Sequence, residues 1–208
     1  MIKRHDEASI LPRLFLLSAT RSGISRVYRR QEKSEVCSLC GTNLKGEREI
    51  FFHRKPKSKM DIESTDLGVF IIRNHVCDMI TELSESEVSF SQIAESRYIL
   101  RPRSTLLFDE HFERLIESDG TCIECGSDLG RSALRVLDGE FVLRAESHVS
   151  EFGVYRTDLK FGWAPEMEPL IFFGEAIAKS IAAEFTGAFF DQCRFKIQDN
   201  SKSGEMDR

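Results

Sequence analysis

Four of the six cysteines stand in two copies of one short motif. The pattern Cys-x-x-Cys-Gly begins at Cys37 and begins again at Cys122. Each copy places two thiols on a tight turn, and the glycine gives the backbone freedom to turn the next amide toward sulfur. Two such turns brought together offer four sulfur ligands in the tetrahedral arrangement of structural zinc. The spacing therefore predicts one structural Zn²⁺ site with the ligands Cys37, Cys40, Cys122 and Cys125.

Paired cysteines also occur in disulfides and in redox sites. Disulfides suit a secreted chain, whereas Cys-x-x-Cys pairs without a secretion signal favour metal. A thioredoxin-like redox site has a single motif that opens a helix, but Gly41 and Gly126 follow the second cysteine here and disfavour helix initiation. Cys77 and Cys193 stand alone in apolar surroundings, and we interpret both as small buried side chains.

The residue types expected of an enzyme are not arranged for catalysis. The chain contains no nucleophile elbow, phosphate loop or zincin helix, and its five histidines are isolated. His111 adjoins Asp109 and Glu110, which a solvated helix surface explains. A zinc held by four thiolates has no open position at which to activate water. We therefore expect a structural metal and no enzymatic activity.

Charge is distributed unevenly along the 208 residues, although the formal net charge is only −5. Residues 1–60 carry a net charge of +8, and residues 61–208 carry −13. The basic segment at 21–59 would suit phosphate, whereas the acidic remainder would attract a basic partner. Ordinary solvated surface would explain the basic segment and the acidic remainder equally well.

The elements that must position the cysteines are short strands and a few helices. Strand patterns occur at Arg13–Ala19 and Ile24–Arg30, ahead of the first motif, and a helix is predicted from Leu106 to Ile116, ahead of the second. Alternation around Asp138-Gly139 predicts a hairpin. The apolar stretch Ile10–Leu17 is interrupted by Pro12 and Arg13, so we interpret it as a strand and not as a signal peptide.

These elements predict an α+β fold, a mixed sheet with a few helices, built around the four-cysteine zinc site. We expect a flexible N-terminus at 1–12, a single zinc-stabilised domain at 13–197 and a disordered tail at 198–208. No apolar run reaches the length of a membrane helix. A cytoplasmic location with no membrane partner is the corresponding expectation.

A strand–helix–strand pattern occurs twice at a constant offset of 101 residues. Val69–Ile72 matches Leu170–Phe173, and the later apolar positions match in turn: Val76 with Ile177, Ile80 with Ile181, and Val88 with Phe189. We interpret this as an internal pseudo-duplication that would bring the two cysteine motifs together, the alternative being convergent apolar patterning.

The two CXXCG motifs, the Arg-Thr-Asp-Leu-Lys-Phe-Gly segment beginning at Arg156 and the closing Thr-Gly-Ala-Phe-Phe at 186–190 together resemble the double-CXXCG motif proteins. The resemblance spans 13–195. It implies an immunity protein, encoded beside an antibacterial toxin used in bacterial competition, which neutralises that toxin by stoichiometric binding. The only residues whose role the resemblance implies are the four cysteines of the two motifs, as a zinc site.

The partner implied by this resemblance is a cognate toxin, and nucleic acid is not expected. Our candidate contacts are the acids on one side of the predicted helix and just beyond it: Asp109, Glu110, Glu113 and Glu117. The alternative is a zinc-ribbon nucleic-acid binder or regulator that uses the basic residues of the segment: Arg26, Arg29, Arg30, Arg48, Arg54, Lys55, Lys57 and Lys59.

Overall fold

The computed structural model describes residues 13–20, 26–28, 35–44, 50–52, 59–65, 69–133, 136, 140–164 and 167–198. Thirteen strands and three helices of more than one turn lie within these residues. The helices are α1 (Asn74–Leu83), α2 (Glu110–Leu115) and α3 (Glu175–Glu184). The strands are β1 (Leu14–Ala19), β2 (Arg26–Tyr28), β3 (Ile50–Phe52), β4 (Ile62–Ser64), β5 (Phe70–Arg73), β6 (Val88–Ala94), β7 (Arg97–Pro102), β8 (Thr105–Leu106), β9 (Gly130–Arg131), β10 (Glu140–Leu143), β11 (Val154–Trp163), β12 (Glu168–Gly174) and β13 (Ala188–Ile197).

The strands form one large mixed sheet and two smaller sheets. The large sheet has the order β10-β13-β1-β12-β11-β8, with β9 paired to β11. Its β10–β13 and β11–β8 pairs are parallel, whereas β1 is antiparallel to both of its neighbours. A four-stranded antiparallel sheet has the order β4-β5-β7-β6, and β2 pairs with β3. The prediction of an α+β fold with a mixed sheet is confirmed.

Two strand–helix–strand units share their layout. In the first, β5 leads into α1 and then β6; in the second, β12 leads into α3 and then β13. The bounds of α1 and α3 differ by the offset of 101 residues seen in the sequence. Both helices also end alike, since Ser84 N–H donates to the carbonyl of Ile80 and Phe185 N–H to that of Ile181. Apolar patterning therefore located both units correctly.

Each unit receives its central strand from outside its own strand–helix–strand segment. β7, the first strand after β6, lies between β5 and β6 in the first unit. β1, from the N-terminal end, lies between β12 and β13 in the second. The registers correspond: Tyr98 pairs with Ile72 just as Phe15 pairs with Phe173. The second unit thus takes its central strand from the far N-terminal end of the chain, whereas the first unit takes the strand that directly follows β6 and pairs with it antiparallel.

The core beneath α1 and α3 has the same twofold pattern. Both helices pack on it with three buried residues each, at matching positions. Its fourteen buried residues sort by position into seven pairs: Leu17 with Leu100, Ile62 with Val154, Phe70 with Ile171, Ile72 with Phe173, Val76 with Ile177, Cys77 with Ala178, and Ile80 with Ile181. The patterning that suggested pseudo-duplication therefore extends to the packing.

The other face of the large sheet carries an aromatic core. Phe108 is fully buried, and its ring centroid lies 5.3 Å from that of Phe112 and 5.6 Å from that of Phe141. β1 contributes Leu14 and Leu16 to this core and Leu17 to the helix-side core, because alternate residues of a strand face opposite ways. Since both faces are covered at β1, its residues Leu14–Leu17 form an unbroken apolar run.

Two local predictions were wrong. The predicted hairpin is not seen as two strands: Val136 in its first arm is helical, and β10, within its second arm at 140–145, runs parallel to β13; Asp138 and Gly139 lie outside the described residues. The helix predicted from Leu106 begins only at Glu110, because Thr105 and Leu106 pair with β11 and Asp109 caps the helix. Residues 1–12 and 199–208, for which flexibility and disorder were predicted, are also outside the described residues.

None of the helices in the described part of the chain combines the length and the apolar character needed to cross a bilayer.

Candidate metal centre

The two Cys-x-x-Cys-Gly segments form matching turns. Gly41 N–H donates to the carbonyl of Cys37 (2.9 Å), and Gly126 N–H donates to that of Cys122 (2.8 Å). Both glycines have positive φ, 72° and 73°, a region that costs other residues strain. Neither turn opens a helix. This agrees with the expectation that the glycines disfavour helix initiation, which separates these motifs from a thioredoxin-like site.

The same flanking hydrogen bonds close both turns. Cys37 N–H donates to the carbonyl of Thr42 (2.9 Å), and Cys122 N–H donates to that of Ser127 (2.8 Å). The hydroxyls of Thr42 and Ser127 lie 3.2 and 3.3 Å from the sulfurs of Cys40 and Cys125. Two turns distant in sequence therefore present their sulfurs in equivalent ways.

The four sulfurs converge on one point. Cys37 Sγ lies 3.6 Å from Cys122 Sγ, Cys40 Sγ lies 3.6 Å from Cys125 Sγ, and all four atoms lie within 4.8 Å of one another. A tetrahedron with Zn–S bonds of about 2.3 Å has S···S edges of about 3.8 Å, so the set fits a tetrahedral ion. All six cysteines of the chain are free thiols. The predicted ligands are thus brought together at metal-binding distance.

Glu124 joins the two turns across the centre. Its carboxylate accepts hydrogen bonds from Leu39 N–H (3.0 Å), from the Ser38 hydroxyl (2.9 Å) and from the Cys37 thiol (3.1 Å). Leu39 is the residue that occupies the corresponding position in the first turn, so this contact has no counterpart in the reverse direction. The sequence analysis did not predict this contact. The signal for it was a carboxylate located between the two cysteines of one motif.

The surroundings of the sulfurs shift their pKa values in different directions. Hydrogen bonds from the hydroxyl and backbone N–H of Thr42 lower the pKa of Cys40 to about 6. The equivalent groups of Ser127 lower the pKa of Cys125. A backbone N–H from Cys40 lowers the pKa of Cys37, but the Glu124 carboxylate and burial outweigh it and raise the value to about 12. The second cysteine of each turn is thus readier to become the thiolate that a metal needs.

A cleft of about 500 Å³ lies beside the sulfurs. Its walls are apolar and include parts of both turns: Leu39, Cys40, Thr121, Cys122, Ile123, Leu129 and Ala164. Ile123 is 95% exposed, and neighbouring Trp163, the only tryptophan of the chain, is 75% exposed. Sequence analysis did not select these residues, since an exposed apolar side chain cannot be distinguished from a core one by residue type.

The four acidic partner candidates have different environments. Asp109 is buried, and its carboxylate accepts hydrogen bonds from His111 N–H (2.9 Å) and Phe112 N–H (3.2 Å) as the N-cap of α2. Glu113 forms a 3.0 Å ion pair with Arg144. Glu110 and Glu117 are exposed. Asp109 therefore presents little surface to a partner, because capping a helix and contacting another protein compete for the same oxygens.

The structural role of Asp109 can be measured directly. We expect Asp109→Ala to lower the unfolding free energy by about 1 kcal/mol, because two N–H groups of α2 lose their acceptor. Asp109→Asn keeps an acceptor oxygen and should recover most of this loss. Chemical denaturation of the three proteins is the measurement. Equal loss in both variants would mean that the charge, and not the cap, is what stabilises the helix.

The basic segment falls largely outside the described residues. Arg29, Arg30, Arg48, Arg54, Lys55 and Lys57 all lie there, and Arg26 is described only through its backbone in β2. Lys59 is exposed, and its carbonyl accepts a hydrogen bond from Arg73 (3.1 Å). His111 lies exposed on α2, while His75 contacts Asp61 at 2.9 Å.

Comparison with known proteins gives no further assignment: no family model, no curated protein and no solved structure matches the chain.

Proposed function

We propose that this chain is an immunity protein that binds a cognate antibacterial toxin stoichiometrically and neutralises it without chemistry, on a scaffold held by one structural Zn²⁺. The zinc would be bound by Cys37, Cys40, Cys122 and Cys125. The toxin would be the product of an adjacent gene, and binding would take place in the cytoplasm.

The observation that carries the binding role is the convergence of four thiols from two distant turns. Four thiolates fill the coordination sphere of a tetrahedral ion, so a zinc bound here has no open position for water or substrate. Such a metal links the turn before β3 to the turn before β9 and adds to folding free energy instead of supplying a reaction. Its contribution is a rigid surface around the two turns.

Charge and resemblance support a toxin as the partner. Residues 61–208 carry a net charge of −13, which favours fast association with a basic surface. A toxin that cleaves nucleic acid needs such a surface to hold phosphate, so an acidic protein would compete with its substrate directly. The two CXXCG motifs and the Arg156–Gly162 segment provide the resemblance to known immunity proteins.

Co-expression in a toxin-sensitive host tests this function. We expect the wild-type chain to restore growth in the presence of the neighbouring gene's product and to co-purify with it at one to one. Replacing the exposed acids Glu110 and Glu117 by Lys should slow association by about tenfold or more, because steering by charge is reversed there. Stopped-flow measurements at two salt concentrations provide the rates.

The matched control makes the same charge change on the other helices. Glu82 and Glu184 are exposed on α1 and α3, and the Glu82→Lys/Glu184→Lys variant should bind at nearly the wild-type rate. Failure of the wild-type chain to protect against, or co-purify with, any neighbouring product would overturn the immunity function. Specific binding of DNA or RNA in a gel-shift assay at moderate salt would favour the nucleic-acid alternative.

A further inference from the structure

We propose that the cleft beside the two cysteine turns is the docking site for a partner segment in which an Arg or Lys side chain is flanked by apolar residues. The inference rests on the proposed partner-binding function and assigns it a surface, which begins at Glu117 and extends to the end of β11. Its apolar walls would take the flanking residues, and a pair formed by Trp163 and Asp119 would take the cation.

Two large apolar side chains of the cleft wall, Leu39 and Ile123, are open to solvent, and so is Trp163, which precedes the wall residue Ala164. Leu39 is 62% exposed, Ile123 is 95% exposed and Trp163 is 75% exposed. Leu39 and Ile123 come from the first and second turns, so the surface exists only when both turns are joined. Exposed apolar patches of this kind mark interaction sites more often than ordinary surface.

The segment that leads into the cleft residue Thr121 is acidic, with Glu117 and Asp119. Neither Asp119 nor Glu117 forms an ion pair through its carboxylate with any residue that the structure describes. The nearby Arg131 guanidinium forms an ion pair with the Asp128 carboxylate at 2.8 Å. Four thiolates around one Zn²⁺ would add a formal charge of −2 to the cleft wall, where Cys40 and Cys122 lie. An apolar partner segment without a cation would leave these negative charges without a compensating positive charge.

Trp163 and Asp119 meet over Gly130. A Cβ at Gly130 would collide with the Asp119 carboxylate and would lie 2.9 Å from Cδ1 of Trp163, so both side chains occupy the space that the glycine leaves. An indole beside a carboxylate offers a cation both π attraction and a charged acceptor. Guanidinium suits this pair best, because it stacks on aromatic rings and bonds carboxylates in one plane.

Backbone hydrogen bonds hold this pair in place before any partner binds. Gly130 pairs with Trp163 between β9 and β11, and Asp119 N–H donates to the carbonyl of Gly130 (3.0 Å). Ala164 N–H donates to the carbonyl of Leu129 (2.8 Å), which joins the strand end to the cleft wall. A preformed site loses little conformational entropy on binding, which favours a short recognition segment.

A random 12-residue peptide library displayed on phage and selected against the zinc-loaded full chain is the first test. We expect the enriched peptides to share one Arg or Lys with apolar neighbours. A synthetic peptide of that consensus should change the fluorescence of Trp163, which reports on this site alone because the chain has no other tryptophan. The same peptide with Glu in place of its basic residue should not bind.

Variants then locate the contact. Asp119→Lys should weaken binding of the consensus peptide by about tenfold or more, measured by calorimetry, and Trp163→Ala should do the same. Phe189→Ala is the matched control, because Phe189 is 60% exposed on β13, which β1 and β12 separate from β11 in the sheet. It should bind the peptide as the wild type does, and all three variants should retain the metal.

Three results would overturn the proposal: no enrichment of any peptide, a consensus without a basic residue, or equal affinity of the wild type, Asp119→Lys and Trp163→Ala. The peptide result does not depend on the toxin, so the two proposals can fail separately. If the chain protects cells against the neighbouring product, and the Trp163→Ala and Asp119→Lys variants bind that product as tightly as the wild type, the cleft is wrong while the immunity function stands.

Discussion

Cys122→Ser should abolish metal binding and remove a large part of the stability of the fold, while the wild-type protein carries about one zinc per chain. A site of this type has no preformed counterpart in the unfolded chain, so its binding free energy, roughly 10–16 kcal/mol in zinc-finger peptides, becomes folding free energy. Whole domains are stable by only about 5–15 kcal/mol, so the loss should be severe. Elemental analysis and thermal unfolding with and without chelator measure both effects.

Cys77→Ala is the control for this experiment. Cys77 is buried in the helix-side core, and the matching position of the second unit is already Ala178. The variant should therefore keep about one zinc per chain and lose only a small part of the stability. Full metal content in Cys122→Ser, or wild-type protein that contains no metal and has Cys37 joined to Cys40, would contradict the zinc site. Iron in place of zinc would retain the ligands but change the metal, since four thiolates also suit iron.

A chain divided between Glu95 and Ser96 should fold only when both pieces are present. The piece 1–95 contains β5, α1 and β6 but lacks β7, the strand that joins β5 to β6. The piece 96–208 contains β12, α3 and β13 but lacks β1, which lies between them. Each piece also carries only two of the four sulfurs. Circular dichroism of each piece alone should show little cooperative unfolding, and mixing them with zinc should restore it.

The control for the division is a full chain with a protease site inserted between Glu95 and Ser96. After cleavage in the folded state, the two pieces should elute together from a sizing column until a chelator and denaturant separate them. A cooperative unfolding transition in 1–95 alone, or one zinc bound to it, would show that β7 and the shared site are not needed for folding.

The sequence revealed the four cysteines that cluster at metal-binding distance and both strand–helix–strand units, because these features repeat. Repetition of Cys-x-x-Cys-Gly is visible without any knowledge of tertiary contacts, and the spacing of Val76 and Ile80 is a local helical signal that recurs at Ile177 and Ile181. The resemblance to immunity proteins and the partner surface remain predictions.

Features that depend on contacts between residues distant in sequence could not be predicted from the sequence. Asp138-Gly139 is a local hairpin signal, but β10 finds its partner in β13, more than forty residues further on. Asp109 resembles any surface acid in sequence, and only the position at which α2 begins makes it a cap. The insertion of β1 between β12 and β13 has no sequence signal, because an apolar strand does not specify which neighbours it will have.

The place of β1 between β12 and β13 also determines when this chain can finish folding. Ser18 in β1 donates a hydrogen bond to Asp191, 173 residues further along the chain. At roughly 5–20 residues per second, the ribosome needs about 10–35 s to make that partner after β1 emerges. During this time Leu14, Phe15, Leu16 and Leu17 form an apolar strand without either of its native neighbours. Pairing over such separations is intrinsically slow, so we expect β1 to depend on chaperones during synthesis and the yield of folded protein to rise at low temperature.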